Sequence, residues 1–220
     1  MDVTDDASVE AGVAAVLAAA GHLDSVVNNA GFGLAGAVEE TTLAEVQAQL
    51  ETNFFGVWRV CRSVLPILRQ QGQGTIVNIS SLAGLIGVPF QAAYSASKFA
   101  LEGFSEALSA EVRPLGIQVV LVEPGDVATA FTQHRRRTAG TQARSVYHVR
   151  REEALARMEA SEVGGPSAEV VAQVVGRILD ARAPRLRYRV GPWVQRAAAV
   201  LKPVLPGRVF ERVLLRAYGL

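Results

Sequence analysis

The chain has 220 residues, half of them hydrophobic and a fifth charged, with a net charge of +1. That length and composition suit one soluble domain with a substantial core and exclude a disordered polymer. Cys61 is the sole cysteine, and His22, His134 and His148 lack ligand spacing, which excludes an intrachain disulfide and sets the expectation of no metal site.

No apolar run reaches the roughly 18 residues of a membrane span. The opening "MDVTDDASVE" is acidic, unlike a signal peptide, so a cytoplasmic location is expected. Residues 1–52 carry no Lys or Arg, whereas residues 181–220 carry nine against Glu211 alone. These basic residues lack a nucleic-acid motif and interleaved stacking aromatics, so no nucleic acid is expected.

In chain order, "ASVEAGVAAVLAAA" (7–20) predicts a helix stopped by Gly21. "LDSVVNNAG" predicts a short buried strand ending in a polar loop. "LAEVQAQLETNFFGVWRVCRSVLPILRQQ" predicts a long helix bent at Pro66. "GTIVNISS" is a second strand, the segment from residue 91 to about Pro114 a helix, and "IQVVLVEPG" a third strand. Residues 126–165 form a polar excursion with Arg135, Arg136 and Arg137, then a helix through "REEALARMEASE", placed to act as a lid. "PSAEVVAQVVGRILDARA" reads as a capped helix, "RLRYRV" as a last strand, and residues 191–220 as a Pro-broken amphipathic tail.

Strands alternating with helices of this length predict a parallel sheet covered on both faces. Ligands bind such sheets beyond the carboxyl ends of the strands, where "NNAG", "SS" and "EPGDV" converge. In "QAAYSASKFALEGF", Tyr94 and Lys98 stand four apart and share a helix face. A cation at that distance favours the phenolate and lowers a tyrosine pKa from about 10, as a general acid or base requires. Lys98 is one of two lysines among 22 basic residues, at a position where arginine would serve equally well as a solvated charge. Ser81 precedes Tyr94 by 13 residues, at a strand end where its hydroxyl either faces the same cleft or caps a turn.

"NNAG" (28–31), Asn53 in "ETNFFG", Ser81 in "IVNISS", "YSASK" (94–98) and "EPGDVAT" (123–129) agree in order and spacing with one family. From Asp2 to about residue 190 the chain resembles the short-chain dehydrogenases/reductases. The resemblance implies an α/β fold, a three-layer α/β/α Rossmann-like parallel sheet over 1–190, with a helical extension over 191–220 packed on it. It implies hydride transfer between NADP or NAD and a carbonyl or alcohol carbon, by a homodimer or homotetramer.

By the same resemblance Tyr94 is the acid or base, and Lys98 tunes it and binds the nicotinamide ribose. Ser81 donates to the substrate oxygen, and Asn53 holds a water leading from Lys98 to solvent. Asn29, Ala30 and Gly31 lie against the adenosine side, Asp2 and Val3 meet adenine, and Pro124, Gly125, Val127 and Thr129 fix the carboxamide. Asn28 ties neighbouring strands. Leu82, Ala83, Val88, Phe90 and Phe131 supply an apolar wall, which points to a steroid-, retinoid- or lipid-like ketone or secondary alcohol. The tail either packs over this pocket or an interface, or lies peripherally on an acidic membrane surface.

The family's opening strand, glycine-rich turn and helix have no counterpart upstream of "NNAG". On family layout this sets aside roughly 50 residues and leaves the "LDSVVNNAG" strand at an exposed edge. Either the natural polypeptide starts upstream of Met1, or this is a gene fragment, or a diverged protein folds without a dinucleotide site. The residue that separates NAD from NADP falls in that segment, so both stay open. A non-catalytic dimeric scaffold and a dinucleotide-sensing protein are the rival functions.

Overall fold

The computed structural model describes residues 1–220. Helix α1 (Asp6–Ala20) opens where the Asp5 carboxylate accepts the Ala7 N–H, and closes at Gly21, whose φ of 77° suits a residue without a Cβ. Strands β1 (Ser25–Asn28) and β2 (Leu34–Ala35) follow. Helix α2 (Leu43–Leu50) starts with a capping box in which Thr42 and Glu45 satisfy each other's backbone N–H groups. Its continuation widens into a π turn at Glu51–Phe55 before α3 (Gly56–Gln71). Pro66 therefore sits inside a helix that does not break there. A further irregularity, not expected from the sequence, falls around Asn53, where the side chain is committed to a distant backbone segment.

Next come β3 (Gly74–Ile79), α4 (Ala92–Val112), β4 (Ile117–Pro124) and β5 (Arg136–Arg137). Helices α5 (His148–Val163) and α6 (Glu169–Leu179) precede β6 (Arg187–Val190), and α7 (Trp193–Leu201) and α8 (Gly207–Tyr218) close the chain. The side-chain cap expected on α6 is not made: Ala168 occupies the cap position, and the Ser167 hydroxyl turns to the Glu169 carboxylate at 3.5 Å.

The sheet order is β1-β3-β4-β6, with every neighbouring pair parallel. A second, two-stranded pairing of β2 with β5 was not legible in the sequence, since each strand has two residues. Alternation along the central strands divides the core. Ile76 of β3 and Ile117 and Val119 of β4 meet Val60, Val64 and Leu68 of α3 and Leu101 and Leu108 of α4. Val77, Val120 and Val122 face the other way, onto Val174 and Ile178 of α6. Burial on both faces gives the near-continuous apolar strands that identify a covered parallel sheet. Each such fully buried aliphatic side chain contributes about 1.5–3 kcal/mol. Strand β1 is an edge strand, as expected, and its Val27 is 41% exposed. Asn28 ties it to β3, donating to the Asn78 side chain at 2.8 Å.

Candidate active site

Beyond the carboxyl ends of β1, β3 and β4 lies a cleft of about 960 Å³. Strand β3 delivers Ser80 and Ser81 to its floor. The extended backbone of Ser81 starts a short helical turn at Leu82–Gly84. The Ser81 hydroxyl accepts the Ala83 N–H at 3.1 Å and donates to the Pro124 carbonyl at 3.3 Å. The capping role and the cleft-facing role weighed from sequence thus coexist. Helix α4 presents Tyr94 and Lys98 to the same space, both buried. The Ser97 hydroxyl donates to the Tyr94 carbonyl at 2.7 Å.

The electrostatics differ from the reading that Lys98 pulls the phenol toward neutrality. Burial pushes the Tyr94 hydroxyl up to about 12, against a smaller lowering by the nearby Ser81 hydroxyl. Burial also brings the Lys98 ammonium down to about 8, opposed by the negative charge of Glu102 one turn along. The lysine Nζ donates to the Ile79 carbonyl at 2.8 Å and stands 5.8 Å from the Tyr94 ring centre. Desolvation outweighs the pairing because both groups sit within the protein and the ammonium is directed at the end of β3. Burial thus favours the phenol form of Tyr94 over the phenolate.

Asn53 is buried in the π turn and grips the loop after β1. Its Oδ1 accepts the Phe32 N–H at 3.1 Å, and its Nδ2 donates to the Phe32 carbonyl at 3.0 Å and to the Ser97 hydroxyl at 3.2 Å. Both amide donors are spent on protein, so any water it held would use the remaining lone pair of Oδ1.

Asn29, Gly31, Asn53, Ser81, Tyr94, Lys98, Pro124, Gly125, Val127 and Thr129 all line this one cleft, as do Leu82, Ala83, Val88 and Phe131. The Phe131 ring lies 5.5 Å from that of Tyr94. Four expected positions stand outside the lining. Asp2 turns its carboxylate onto Thr4, Val3 packs into the core against α3, and Ala30 points to solvent. Phe90 adopts a φ of 59° and packs with Ala35, Leu155 and Met158 behind the cleft, because its carbonyl is taken by the Gly36 N–H at 2.8 Å. The sequence reading missed Ile86, Met158, Gln195, Phe210, Leu214 and Tyr218, which complete the wall. For those on α7 and α8, the amphipathic period of the tail was the available signal.

The short chain dehydrogenase family model matches residues 1–140. The chain belongs to the short-chain dehydrogenase family. It is 40% identical over 220 residues to the 3-ketodihydrosphingosine reductase of Bacteroides thetaiotaomicron, covering 100% of this chain and 82% of that one. A short-chain dehydrogenase/reductase from Burkholderia phymatum in complex with NAD superposes with a TM-score of 0.80 at 26% identity, over 93% of this chain and 73% of that one. A metagenomic short-chain oxidoreductase in complex with NADP gives 0.65 at 28% identity, over 86% and 71%.

This member of the short-chain dehydrogenase family is therefore a nicotinamide-dependent oxidoreductase, with NAD or NADP as coenzyme. The cleft suits the nicotinamide end of such a coenzyme. It joins a buried ammonium, a phenol and the Pro124–Thr129 loop in one space.

Proposed function

We propose that the chain reduces an apolar ketone to a secondary alcohol, with Tyr94, Ser81, Lys98 and Asn53 as its working residues. The observation that carries this reading is the buried Tyr94 phenol, brought together with Ser81 and Lys98 in a cleft whose walls are otherwise largely apolar. The bound coenzyme supplies the hydride. As negative charge develops on the substrate oxygen, Ser81 turns its one hydroxyl proton from the Pro124 carbonyl to that oxygen and Tyr94 gives it a proton. Lys98 holds a positive charge next to the phenolate that remains, and its spare N–H groups are available to the coenzyme ribose. Asn29, Gly31, Pro124, Gly125, Val127 and Thr129 hold the coenzyme.

Leu82, Ala83, Val88 and Phe131, with Phe210 and Leu214 from α8, favour a long or polycyclic hydrocarbon over a sugar. The name of the Bacteroides relative, which denotes a long-chain ketone, agrees with that class. The test is Tyr94→Phe, assayed with NADH and NADPH against a long-chain 3-ketone. Turnover falls by about 10²–10⁴-fold while circular dichroism is unchanged. Turnover retained by the phenylalanine variant would sink the proposal.

A further inference from the structure

Helices α7 and α8 each have two working faces. One face lines the cleft: Ala198 of α7 with Phe210 and Leu214 of α8, packed around Leu82 and Ile86. The other is uncovered and apolar. Trp193 is 75% exposed, and Val200, Val209 and Val213 are also exposed, as is Val204 in the turn between the two helices. Arginines interrupt this surface at helical spacing, with Trp193, Arg196 and Val200 on one side of α7 and Val209, Arg212, Val213 and Arg216 on one side of α8. Arg196, Arg208, Arg212 and Arg216 are exposed and make no ion pair. Glu211 is the single carboxylate side chain in residues 191–220.

We propose that this face of α7 and α8 docks on the surface of an anionic lipid bilayer, with the cleft mouth at the contact. No helix here is long and apolar enough to cross a membrane, and the proposed contact lies at the bilayer surface. An exposed tryptophan and valines sink into the headgroup boundary while unpaired arginines stay at the level of the phosphates. Charge decides between a bilayer and a second copy of this chain. Self-association about a two-fold axis would set this arginine-rich face against itself, with Glu211 alone to neutralise it, whereas anionic headgroups answer every arginine.

The cleft supports the orientation. Val194 of α7 and Val213 of α8 are more than half exposed and also line the cleft that holds Tyr94, so these two helices present apolar side chains both to the surface and to the cleft. A hydrocarbon substrate would pass from bilayer to cleft without crossing water. The docking itself goes beyond the ketone reading and is measured without coenzyme.

The test is flotation of the purified chain with vesicles of phosphatidylcholine alone or mixed with phosphatidylglycerol, at low and high salt. The expected result is at least about tenfold more protein on the anionic vesicles, falling as salt rises. The pair Arg196→Glu and Arg212→Glu, which does not touch the cleft, should lose binding by about tenfold or more. The pair Trp193→Ser and Val204→Ser should weaken it with circular dichroism unchanged. Equal flotation with both vesicle types, no flotation of a folded chain, or undiminished binding by the charge-reversed variant overturns the proposal. So does a result in which the serine variant alters only self-association on size exclusion, since the face would then belong to a second copy. Ketone turnover measured without vesicles reports on the catalytic reading separately.

Discussion

Helices α4 and α8 line the same cleft and are held there by different forces. On α4, Lys98, Ser97 and Ser105 are buried and each makes a directional bond: Lys98 to Ile79, Ser97 to Tyr94 and Asn53, and Ser105 to Leu101 and Asn78. Helix α8 has no fully buried side chain and is held through Phe210, Leu214 and Tyr218 against apolar neighbours. Directional bonds hold the Lys98 ammonium and the backbone turn that carries Tyr94. Non-directional contacts shape the substrate wall and tolerate exchange among side chains of similar volume. Changes near α4 should therefore unbalance the fold or the chemistry, and changes on α7 and α8 should shift binding.

The strongest challenge to the rigid side is Arg187→Leu. The Arg187 guanidinium pairs with Glu102, with Glu106 at 2.5 Å and with Glu123 at 2.7 Å. Glu123 is fully buried, and burial already raises the Glu102 carboxyl above its usual range. Removing the cation strands two buried carboxylates. Arg189 still reaches Glu123 at 3.0 Å, and Glu102 can take up a proton, so the loss is about 3 kcal/mol at neutral pH. Urea unfolding would report it, and a loss under about 1 kcal/mol would show that this network does not anchor α4.

A smaller effect tests the burial of Lys98. Its ammonium is brought from 10.5 down to about 8 in the fold, so between those values the unfolded chain binds the proton and the folded chain does not. Stability then rises with pH across that window, and is lost as pH falls through about 8. Tyr94, pushed up to about 12, adds an opposite slope above pH 10, so the clean region ends near 10. Lys98→Met should flatten the rise, which is worth about 2 kcal/mol. Urea midpoints of the two proteins with parallel pH slopes would mean that Lys98 is not desolvated.

The contrast between the helices also explains what the sequence made legible. Four-residue spacing puts Tyr94 and Lys98 on one face whatever else the chain does, and alternating apolar residues dictate the buried strands, so chemistry and sheet could be read together. The pKa directions could not, because they depend on how deeply α4 is covered by segments distant in sequence. Asn53 in the π turn at Glu51–Phe55 bonds the Phe32 backbone 21 residues away, and Arg187 meets carboxylates 64 and 85 residues away. Phe90 looked like cleft wall from its apolar neighbours, but a left-handed backbone turned it toward α5. In the tail the amphipathic pattern announced a face to bury without saying against what.

Gln195 joins the two regions, and its effect should be the smallest. From α7 its Oε1 accepts the Asp126 N–H at 2.8 Å, while its Nε2 donates to the Asp126 carboxylate. This amide fork holds the loop between Pro124 and Thr129, which we propose carries the coenzyme, to a helix otherwise attached through Ala198 and Ala199. Gln195→Met keeps the length and the apolar stem but leaves the half-buried Asp126 N–H without its acceptor, at a cost of about 1 kcal/mol. If the fork positions the loop, coenzyme KM rises severalfold with kcat nearly unchanged, and the same variant leaves vesicle flotation as it was. A fall in kcat with KM constant would place Gln195 in the chemistry instead. No change in either would mean that packing by the apolar residues of α7 positions the loop unaided, and that the directional and non-directional halves of the site meet without a hydrogen-bonded link.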